Sequence, residues 1–387
     1  MPNIFNHSAL TAVDFLRDFW QRKPLLLRQA LPGFTPELDA DDIAGLACDE
    51  MAESRLVTGS YPANDWSLRH GPFSEADFAA LPERNWTLLV QDVEKHYPPL
   101  QSLLAAFDFL PRWRIDDLMV SVAGPGGSVG PHVDQYDVFL LQATGTRHWQ
   151  IAEHFDPQLE ADCELNVLQR IQAEQEWTLE PGDLLYLPPG VAHFGIADPG
   201  AAPGSPPCMT WSIGMRAPSA ADLFQSFGEW LADREDQGGR YRDPGLAPAR
   251  RAGEIDADAL ARLRALAREC IDDDERWQVF LGAFLSRYRL AQEPAPPPGH
   301  LDAEQLRQAL ERGAMLQHNP WTRLLWLRSG NGAVLFAAGE AFDCEPGLAQ
   351  VLCDPQALKA APARQLADHF GLLCELLARG HLWLEAV

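Results

Sequence analysis

Three potential metal ligands constrain this chain more than any other feature of its sequence. His132 and Asp134 are two residues apart, so in an extended segment both side chains project from the same face and can hold one ion. A third ligand, His193, follows 59 residues after Asp134. Two histidines and one carboxylate on one face leave the remaining positions on a metal open, which is the arrangement of non-haem Fe(II) oxygenases. The sequence therefore predicts catalysis at a metal held by His132, Asp134 and His193.

The residues that precede His193 match a motif of the cupin barrel. Gly182, five residues, Pro188-Pro189-Gly190, two residues and His193 fit the pattern GxxxxxPxGxxH. Short β-rich runs, separated by Gly and Pro clusters, surround the motif, and this is typical of an antiparallel sandwich or barrel. The runs are 117–123, 137–143, 147–152, 183–187 and 208–215. A glycine-rich loop, 124–130, lacks the GK[ST] of a phosphate-binding loop and is expected to turn the backbone ahead of His132.

A cosubstrate site is predicted beside the metal ligands. Fe(II) oxygenases commonly take electrons from 2-oxoglutarate, whose distal carboxylate needs a cation. Arg147 begins the strand after a turn, and a guanidinium offers a bidentate fork to a carboxylate. Ser121 would add a hydroxyl. An arginine on a strand is otherwise more often a surface residue, but the metal ligands favour the anchor. His148 and His154 have no partner two residues away and are expected to be ordinary polar residues.

Alternation along 117–121 predicts a substrate pocket. Asp117, Met119 and Ser121 face the same side of the strand, so the first two would line a pocket beside the cosubstrate. A carboxylate, a thioether and a phenol suit a long cation with an alkyl stem, such as arginine or lysine. An alternative for Asp117 is an ion pair with Arg112 or Arg114. The predicted substrate-binding residues are Asp117, Met119, Tyr136 and Ser212.

Helical patterns and a proline-rich run divide the rest of the chain. Ser219 and Asp222 resemble a capping box, and an aromatic stripe over 277–288 is typical either of a core or of a homodimer interface. The order of helices and short strands beyond the prolines fits a winged helix. The predicted domains are an N-terminal helical and strand extension packing on the barrel (1–97), a catalytic barrel (98–217), a helical dimerisation region (218–292), a proline-rich linker (293–300) and a winged-helix-like domain (301–387).

The charge balance limits the choice of partner. The chain of 387 residues carries 31 basic and 55 acidic side chains, a formal net charge of −24. An acidic chain is a poor match for nucleic acid or an anionic membrane surface, and it suits a basic partner. No long apolar run and no signal peptide are apparent, and seven scattered cysteines without a CxxC pair favour buried thiols in a reducing cytoplasm.

Longer motifs resemble a known family. Arg114-Ile-Asp-Asp-Leu-Met-Val-Ser121, GPHVDQYDVF (130–139) and Pro181-Gly-Asp with Pro188-Pro-Gly and His193 are similar to bacterial ribosomal oxygenases of the Jumonji-C group. The resemblance covers about 14–385 and includes 21–24, 70–73 and 85–89. It implies a mainly β catalytic core, a double-stranded β-helix, with an α-helical dimerisation region and a C-terminal winged-helix α+β module.

The resemblance also implies an activity. It indicates a hydroxylase that uses Fe(II), 2-oxoglutarate and O₂ and acts on an arginine side chain in a loop of a basic large-subunit ribosomal protein, the sixteenth. Carried over by position, the iron ligands are His132, Asp134 and His193, the 2-oxoglutarate residues are Arg147 and Ser121, and the substrate residues are Asp117, Met119, Tyr136 and Ser212. The alternatives are another cupin metalloenzyme, such as a small-molecule dioxygenase or isomerase, a non-catalytic module that binds a ribosomal protein, and a winged-helix regulator that senses a ligand.

Overall fold

Gly and Pro clusters break the first part of the chain into short strands that pair into two antiparallel sheets. The computed structural model describes residues 3–161, 163–202, 204–234, 239–288, 299 and 301–385, and the chain divides into two compact units, Met1–Ala217 and Pro218–Val387. The strands of the first unit are β1 Leu25–Leu27, β2 Ser54–Thr58, β3 Ser67–His70, β4 Trp86–Val90, β5 Ile115–Ala123, β6 His132–Val133, β7 Val138–Thr144, β8 Arg147–Ala152, β9 Gln175–Leu179, β10 Leu184–Leu187, β11 Ala192–Ala197 and β12 Cys208–Met215.

The two sheets of the first unit form the double-stranded β-helix. The larger sheet has the strand order β1-β10-β7-β12-β5-β4-β2-β3, and the smaller has the order β6-β11-β8-β9. The predicted fold class is confirmed. The N-terminal residues add β1 to one edge of the larger sheet and β4, β2 and β3 to the other, so this part of the chain extends the barrel sheet as well as covering it.

Alternation along the central strand β5 separates the core from the barrel interior. Leu118, Val120 and Val122 are buried in a hydrophobic core on the outer face of the larger sheet. The partners in that core include Phe15 and Ile43, which come from α1 (Ala12–Asp18) and α2 (Ala40–Leu46). Side chains two apart share a face of a strand, so Asp117, Met119 and Ser121 take the opposite, interior face. The other helices of this unit are α3 Glu75–Ala79, α4 Val93–His96 and α5 Gln101–Leu104.

The second unit joins a helical part to an α+β part. Its elements are α6 Ala220–Ala232, α7 Ala257–Ile271, α8 Asp274–Ser286, α9 Ala303–Glu311, β13 Met315–His318, β14 Leu324–Ser329, β15 Gly332–Ala337, β16 Glu340–Cys344, α10 Pro346–Cys353, α11 Pro355–Ala360, α12 Ala363–Leu366, α13 Phe370–Ala378 and β17 Leu382–Glu385. The predicted capping box is present, because Ser219 and Asp222 hydrogen-bond each other's backbone at the start of α6. The predicted linker, 293–300, lies almost wholly outside the described residues.

The aromatic stripe of α8 contributes to a hydrophobic core within the second unit. Phe280 is buried, and its ring lies 4.9 Å from that of Phe227 on α6 and 5.1 Å from that of Trp277. The same helix also packs on β14, β15 and β16, and a Cβ at Gly282 would lie 2.2 Å from the Phe336 ring. Phe280 therefore belongs to a core within the second unit, whereas Trp277 and Phe284 are half-buried, and a homodimer interface stays a prediction.

Candidate active site

The two predicted histidines and the aspartate converge at one place in the barrel. One side-chain nitrogen or oxygen from each of His132, Asp134 and His193 lies within 4.8 Å of the others. The two imidazole rings are 4.2 Å apart, and Nε2 of His193 lies 3.6 Å from Oδ2 of Asp134. Nitrogen and carboxylate donors of this kind suit a divalent transition metal, so the residues present fit Fe(II).

Backbone carbonyls set the orientation of both imidazoles. Nδ1 of His132 lies 2.9 Å from the carbonyl oxygen of Gly130, and Nδ1 of His193 lies 3.0 Å from that of Val191. A carbonyl can only accept, so each Nδ1 carries the proton and each Nε2 keeps its lone pair for a metal. Burial lowers the pKa of His193 below its ordinary value, and the neighbouring His132 ring lowers it further. The neutral, ligating form is therefore favoured.

Strand pairing and two glycine turns bring the ligands together. His132 on β6 pairs directly with His193 on β11, although the chain between them contains four other strands. Gly130 and Gly190 adopt left-handed φ values of 81°, a conformation that glycine reaches without steric cost. The backbone amide of Gly190 then donates to the carbonyl of Asp134 at 2.8 Å. This hydrogen bond joins the proline turn before His193 to the segment that carries Asp134.

Arg147 lies inside the barrel and has hydrogen-bond donors without an acceptor among the described residues. Its side chain is almost fully buried, and neither Nε nor Nη2 has a hydrogen-bond partner among the described residues. Leaving a buried charged donor unpaired costs more than an ordinary hydrogen bond contributes. A ligand carboxylate would accept hydrogen bonds from both nitrogens, so the residues present fit 2-oxoglutarate.

Ser121 and Thr210 face the same end of the interior as Arg147. Ala197, which pairs with Arg147 in the smaller sheet, packs against Ala123 and Cys208 of the larger sheet. These residues are two positions from Ser121 and Thr210, which pair with each other across β5 and β12. Thr210 was not predicted from the sequence, although it alternates with Ser212 along the last strand and could have been found by that spacing.

His148 and His154 lie outside the site. Nδ1 of His148 lies 3.2 Å from Oγ1 of Thr178, and Nδ1 of His154 lies 2.9 Å from Oε1 of the exposed Glu174. The indole of Trp149, by contrast, lies with its ring centroid 6.0 Å from that of His193, and its buried Nε1 has no partner among the described residues. No pattern in the sequence distinguishes this tryptophan from a core residue.

The predicted substrate residues occupy different positions around the interior. Ser212 on β12 pairs directly with Met119 on β5, so the two residues are neighbours across the larger sheet. Tyr136 lies in a bend with its side chain 42% exposed. The strand that carries His132 ends at Val133, so the expectation that Tyr136 continues that strand face is wrong. Its bend places it at the surface rather than on the sheet.

Asp117 lies among other buried charges rather than beside the two arginines considered for it. Arg112 pairs with Asp108 and Arg114 with Asp137, at 3.2 Å and 2.8 Å. Burial, together with the neighbouring Glu94, Asp92 and Asp116, raises the pKa of Asp117 to about 8, although Lys95 opposes this change. Because the carboxylate is this unfavourable alone, a cationic ligand beside it would be strongly favoured.

Comparisons with known proteins match this geometry. A JmjC domain model matches residues 102–223, and a ROXA-like winged-helix model matches residues 269–383. The ribosomal protein uL16 3-hydroxylase of Escherichia coli is 36% identical over 333 residues, which is 85% of each chain. A probable ribosomal oxygenase of Haemophilus influenzae is 32% identical over 360 residues, covering 86% of this chain and 82% of that protein.

The chain belongs to the JmjC ribosomal oxygenases.

Solved structures of the same family agree in shape over nearly the whole chain. The X-ray structure of Escherichia coli YcfD is 34% identical, has a TM-score of 0.85 and covers 97% of this chain and 99% of that chain. YcfD in complex with cobalt and 2-oxoglutarate is 33% identical with a TM-score of 0.82, covering 98% and 99%. The winged-helix match begins at 269 and so includes α8, which the sequence analysis assigns to the helical region; the predicted division at 293–300 stays a prediction.

No helix among the described residues is long and apolar enough to cross a bilayer.

Proposed function

We propose that this ribosomal oxygenase is an Fe(II)- and 2-oxoglutarate-dependent hydroxylase of an arginine side chain in the large-subunit ribosomal protein uL16. The observation that carries the proposal is the convergence of His132, Asp134 and His193 in a barrel that also buries the unpaired guanidinium of Arg147. Its relative from Escherichia coli is named for hydroxylation of uL16, and YcfD binds cobalt with 2-oxoglutarate or succinate.

The metal ligands and Arg147 have separate tasks in this proposal. His132, Asp134 and His193 hold Fe(II), and the bound iron with 2-oxoglutarate and O₂ supplies the oxidising chemistry that yields succinate, CO₂ and an alcohol. Arg147 holds the distal carboxylate of 2-oxoglutarate with a charge-assisted fork, and Ser121 adds a hydroxyl donor. The tryptophan and aliphatic side chains around them keep water out, which strengthens these charged contacts.

Asp117 makes the pocket selective for a cationic side chain. Its carboxylate is stabilised when a guanidinium binds, because burial and three neighbouring carboxyl groups oppose its ionisation alone. Met119 and Ser212 line the adjacent level, and Tyr136 lies where an incoming loop can meet it. An anchor at the far end of the side chain orients a carbon nearer the backbone for oxidation. We place the hydroxyl on carbon 3, the position in the relative's name.

The test is hydroxylation of a uL16 peptide that contains the target arginine. Wild-type protein is incubated with Fe(II), 2-oxoglutarate, O₂ and the peptide, and mass spectrometry reports the gain of one oxygen atom on the arginine. His132→Ala and a peptide with the arginine changed to alanine are the matched controls. Absence of a product, or equal product from the wild type and His132→Ala, would contradict the proposal.

The alternatives predict other outcomes in the same experiment. Succinate release that depends on the peptide excludes an isomerase and a small-molecule dioxygenase. Tight peptide binding that is unchanged by His132→Ala, with no product, would favour a binding module. A gel shift with genomic DNA fragments would favour the regulator, whose acidic C-terminal residues argue against it. Because the proposed substrate is a ribosomal protein, we propose that the enzyme acts in the cytoplasm.

We further propose that the region 218–292 forms a homodimer. Most of α7 is exposed, including Leu260 and Leu263 at about half of their full surface, and Phe224 on α6 is 59% exposed. Large apolar side chains grouped on two helices are typical of a protein–protein interface. Leu260→Glu with Leu263→Glu is expected to convert a dimer to a monomer in analytical ultracentrifugation. Val13→Glu, at an exposed apolar position of the first unit, is the control; a monomeric wild type would contradict the proposal.

A further inference from the structure

A buried glutamine holds one oxygen of Asp117. Gln91 directly follows β4 and is 8% exposed. A carboxylate only accepts hydrogen bonds and a guanidinium only donates them, so its neighbours decide the orientation of its amide. In that orientation the amide nitrogen donates to Oδ2 of Asp117 at 2.8 Å, and the amide oxygen accepts from Nη2 of Arg55 at 3.2 Å. One edge of the Asp117 carboxylate is therefore occupied by the protein itself.

A glycine lets the other oxygen lie close against the neighbouring strand. Gly214 on β12 pairs directly with Asp117, and a Cβ at this position would lie 2.8 Å from Oδ1 of that carboxylate. The φ of Gly214 is not in the left-handed region, so the backbone does not require glycine. Glycine within a strand loses packing and often marks the close approach of a ligand, and the register shift after Gly214 turns the strand away at the same point.

Charged groups on three elements surround the same carboxylate. The short helix α4 brings Glu94 and Lys95, with Asp92 at its start, and β5 itself contributes Asp116, while Arg55 on β2 acts through Gln91. Oε2 of Glu94 accepts from the amide of Leu118 at 2.9 Å, which fixes β5 next to Asp117. The four carboxyl groups outnumber Lys95 and Arg55, so a further cation beside Asp117 would favour the ionised form of this residue.

We propose that Gln91 and Gly214 shape a subsite for one planar cation at Asp117. Gln91 is a positioning residue that holds Oδ2, and Gly214 lets Oδ1 lie against β12, where it meets the substrate's guanidinium. This rests on the proposed function, because an arginine substrate supplies the guanidinium. Two residues that belong to no recognisable sequence motif would then determine which cationic side chains the pocket accepts.

Two substitutions test the two halves of the subsite separately. Gln91→Met keeps the volume and removes the hydrogen bond, and it should raise KM for the uL16 peptide about tenfold with a smaller change in kcat. Gly214→Ala places a methyl group against Oδ1 and displaces this oxygen. It should raise KM for the arginine peptide more than KM for a lysine-substituted peptide, since a planar guanidinium needs a fixed carboxylate edge and an ammonium with rotatable donors does not. Gln150→Ala, at a half-buried glutamine on β8, is the matched control.

The pH profile separates positioning from a merely structural role. Asp117 must be ionised to bind a cation, so kcat/KM rises as pH increases through its pKa. The Gln91 donor stabilises the ionised form, and its loss in Gln91→Met should move the midpoint of that rise to higher pH. The dissociation constant of 2-oxoglutarate is measured for each variant, because a damaged barrel would lose it together with peptide binding.

The outcomes distinguish this inference from the proposed function. If the wild type hydroxylates no arginine peptide, the proposed function fails. If the wild type is active and Gln91→Met keeps both its KM and its pH midpoint, the role of Gln91 is overturned. If Gly214→Ala keeps the wild-type ratio of arginine to lysine peptides, the role of Gly214 is overturned. If Gln91→Met does not fold, Gln91→Asn, which keeps the amide but shortens its reach, provides the KM and the pH midpoint instead.

Discussion

The metal ligands and the Asp117 pocket are built in different ways within one barrel. His132 and His193 pair across adjacent strands, and backbone carbonyls orient both rings. Asp117 depends instead on Arg55, Gln91 and the charged groups of α4, and on a glycine of β12, which are distant from one another in sequence. The first arrangement needs only short motifs on a standard fold, whereas the second needs a set of buried charges. We therefore expect all-or-none losses at the metal and graded losses at Asp117.

The largest effect is expected from Asp134→Ala. The change removes one of three ligands, so both Co(II) affinity and peptide hydroxylation should fall by more than about a hundredfold, the upper end of what changes around a ligand set produce. Cobalt absorption spectra and single-turnover mass spectrometry measure the two quantities. Asp156→Ala, on an exposed loop, is the control. Retention of metal and activity in Asp134→Ala would remove the contrast between the two regions.

Arg147→Met should give the next largest effect. It keeps most of the volume and removes the guanidinium, so the dissociation constant of 2-oxoglutarate should rise about a hundredfold. The ligand-free protein should melt at a higher temperature, because a buried charge with two unpaired nitrogens has been removed. Calorimetry measures both. A lower Tm with unchanged 2-oxoglutarate affinity would show that Arg147 has only a structural role. The control is His148→Met, which lies outside the site.

Asp117→Asn tests the buried charges through the pH dependence of stability. The pKa of Asp117 rises from 3.8 to about 8 in the folded protein, so between these values the folded state binds more protons than the unfolded state. Stability is therefore lost as pH increases through this window, and Glu94, with a pKa of about 7, acts in the same direction.

In Asp117→Asn this loss should shrink by at least about 1 kcal/mol between pH 5 and 8, since one pKa unit corresponds to that amount. Urea unfolding of the metal-free protein at several pH values measures it. Asp77→Asn changes a half-buried carboxyl whose pKa is lowered to about 2, and it is the control with the opposite shift. Equal slopes for Asp117→Asn and the wild type would mean that the carboxylate is not opposed by its surroundings.

The same contrast explains what the sequence could predict. The metal ligands, the strands that carry them and the interior face of β5 follow from spacing and alternation, which are local properties. The strand β11, which carries His193, was read only as a turn and a ligand, because its six residues include two alanines and a glycine. Gln91 and Gly214 could not be assigned from local pattern, since their roles depend on partners that lie far away in the sequence, whereas Thr210 was open to prediction from its alternation with Ser212.

The smallest effect is expected from salt and concerns the whole acidic surface. The net charge of −24 should attract a strongly basic ribosomal protein from a distance, whereas a short peptide carries little charge to attract. Raising the ionic strength screens exposed charges beyond about 10 Å but affects the buried contacts at Asp117 much less. The value of kcat/KM for full-length uL16 should therefore fall severalfold with salt while that for the peptide changes little. Equal salt dependence of the two substrates would assign all recognition to the buried pocket and none to the surface.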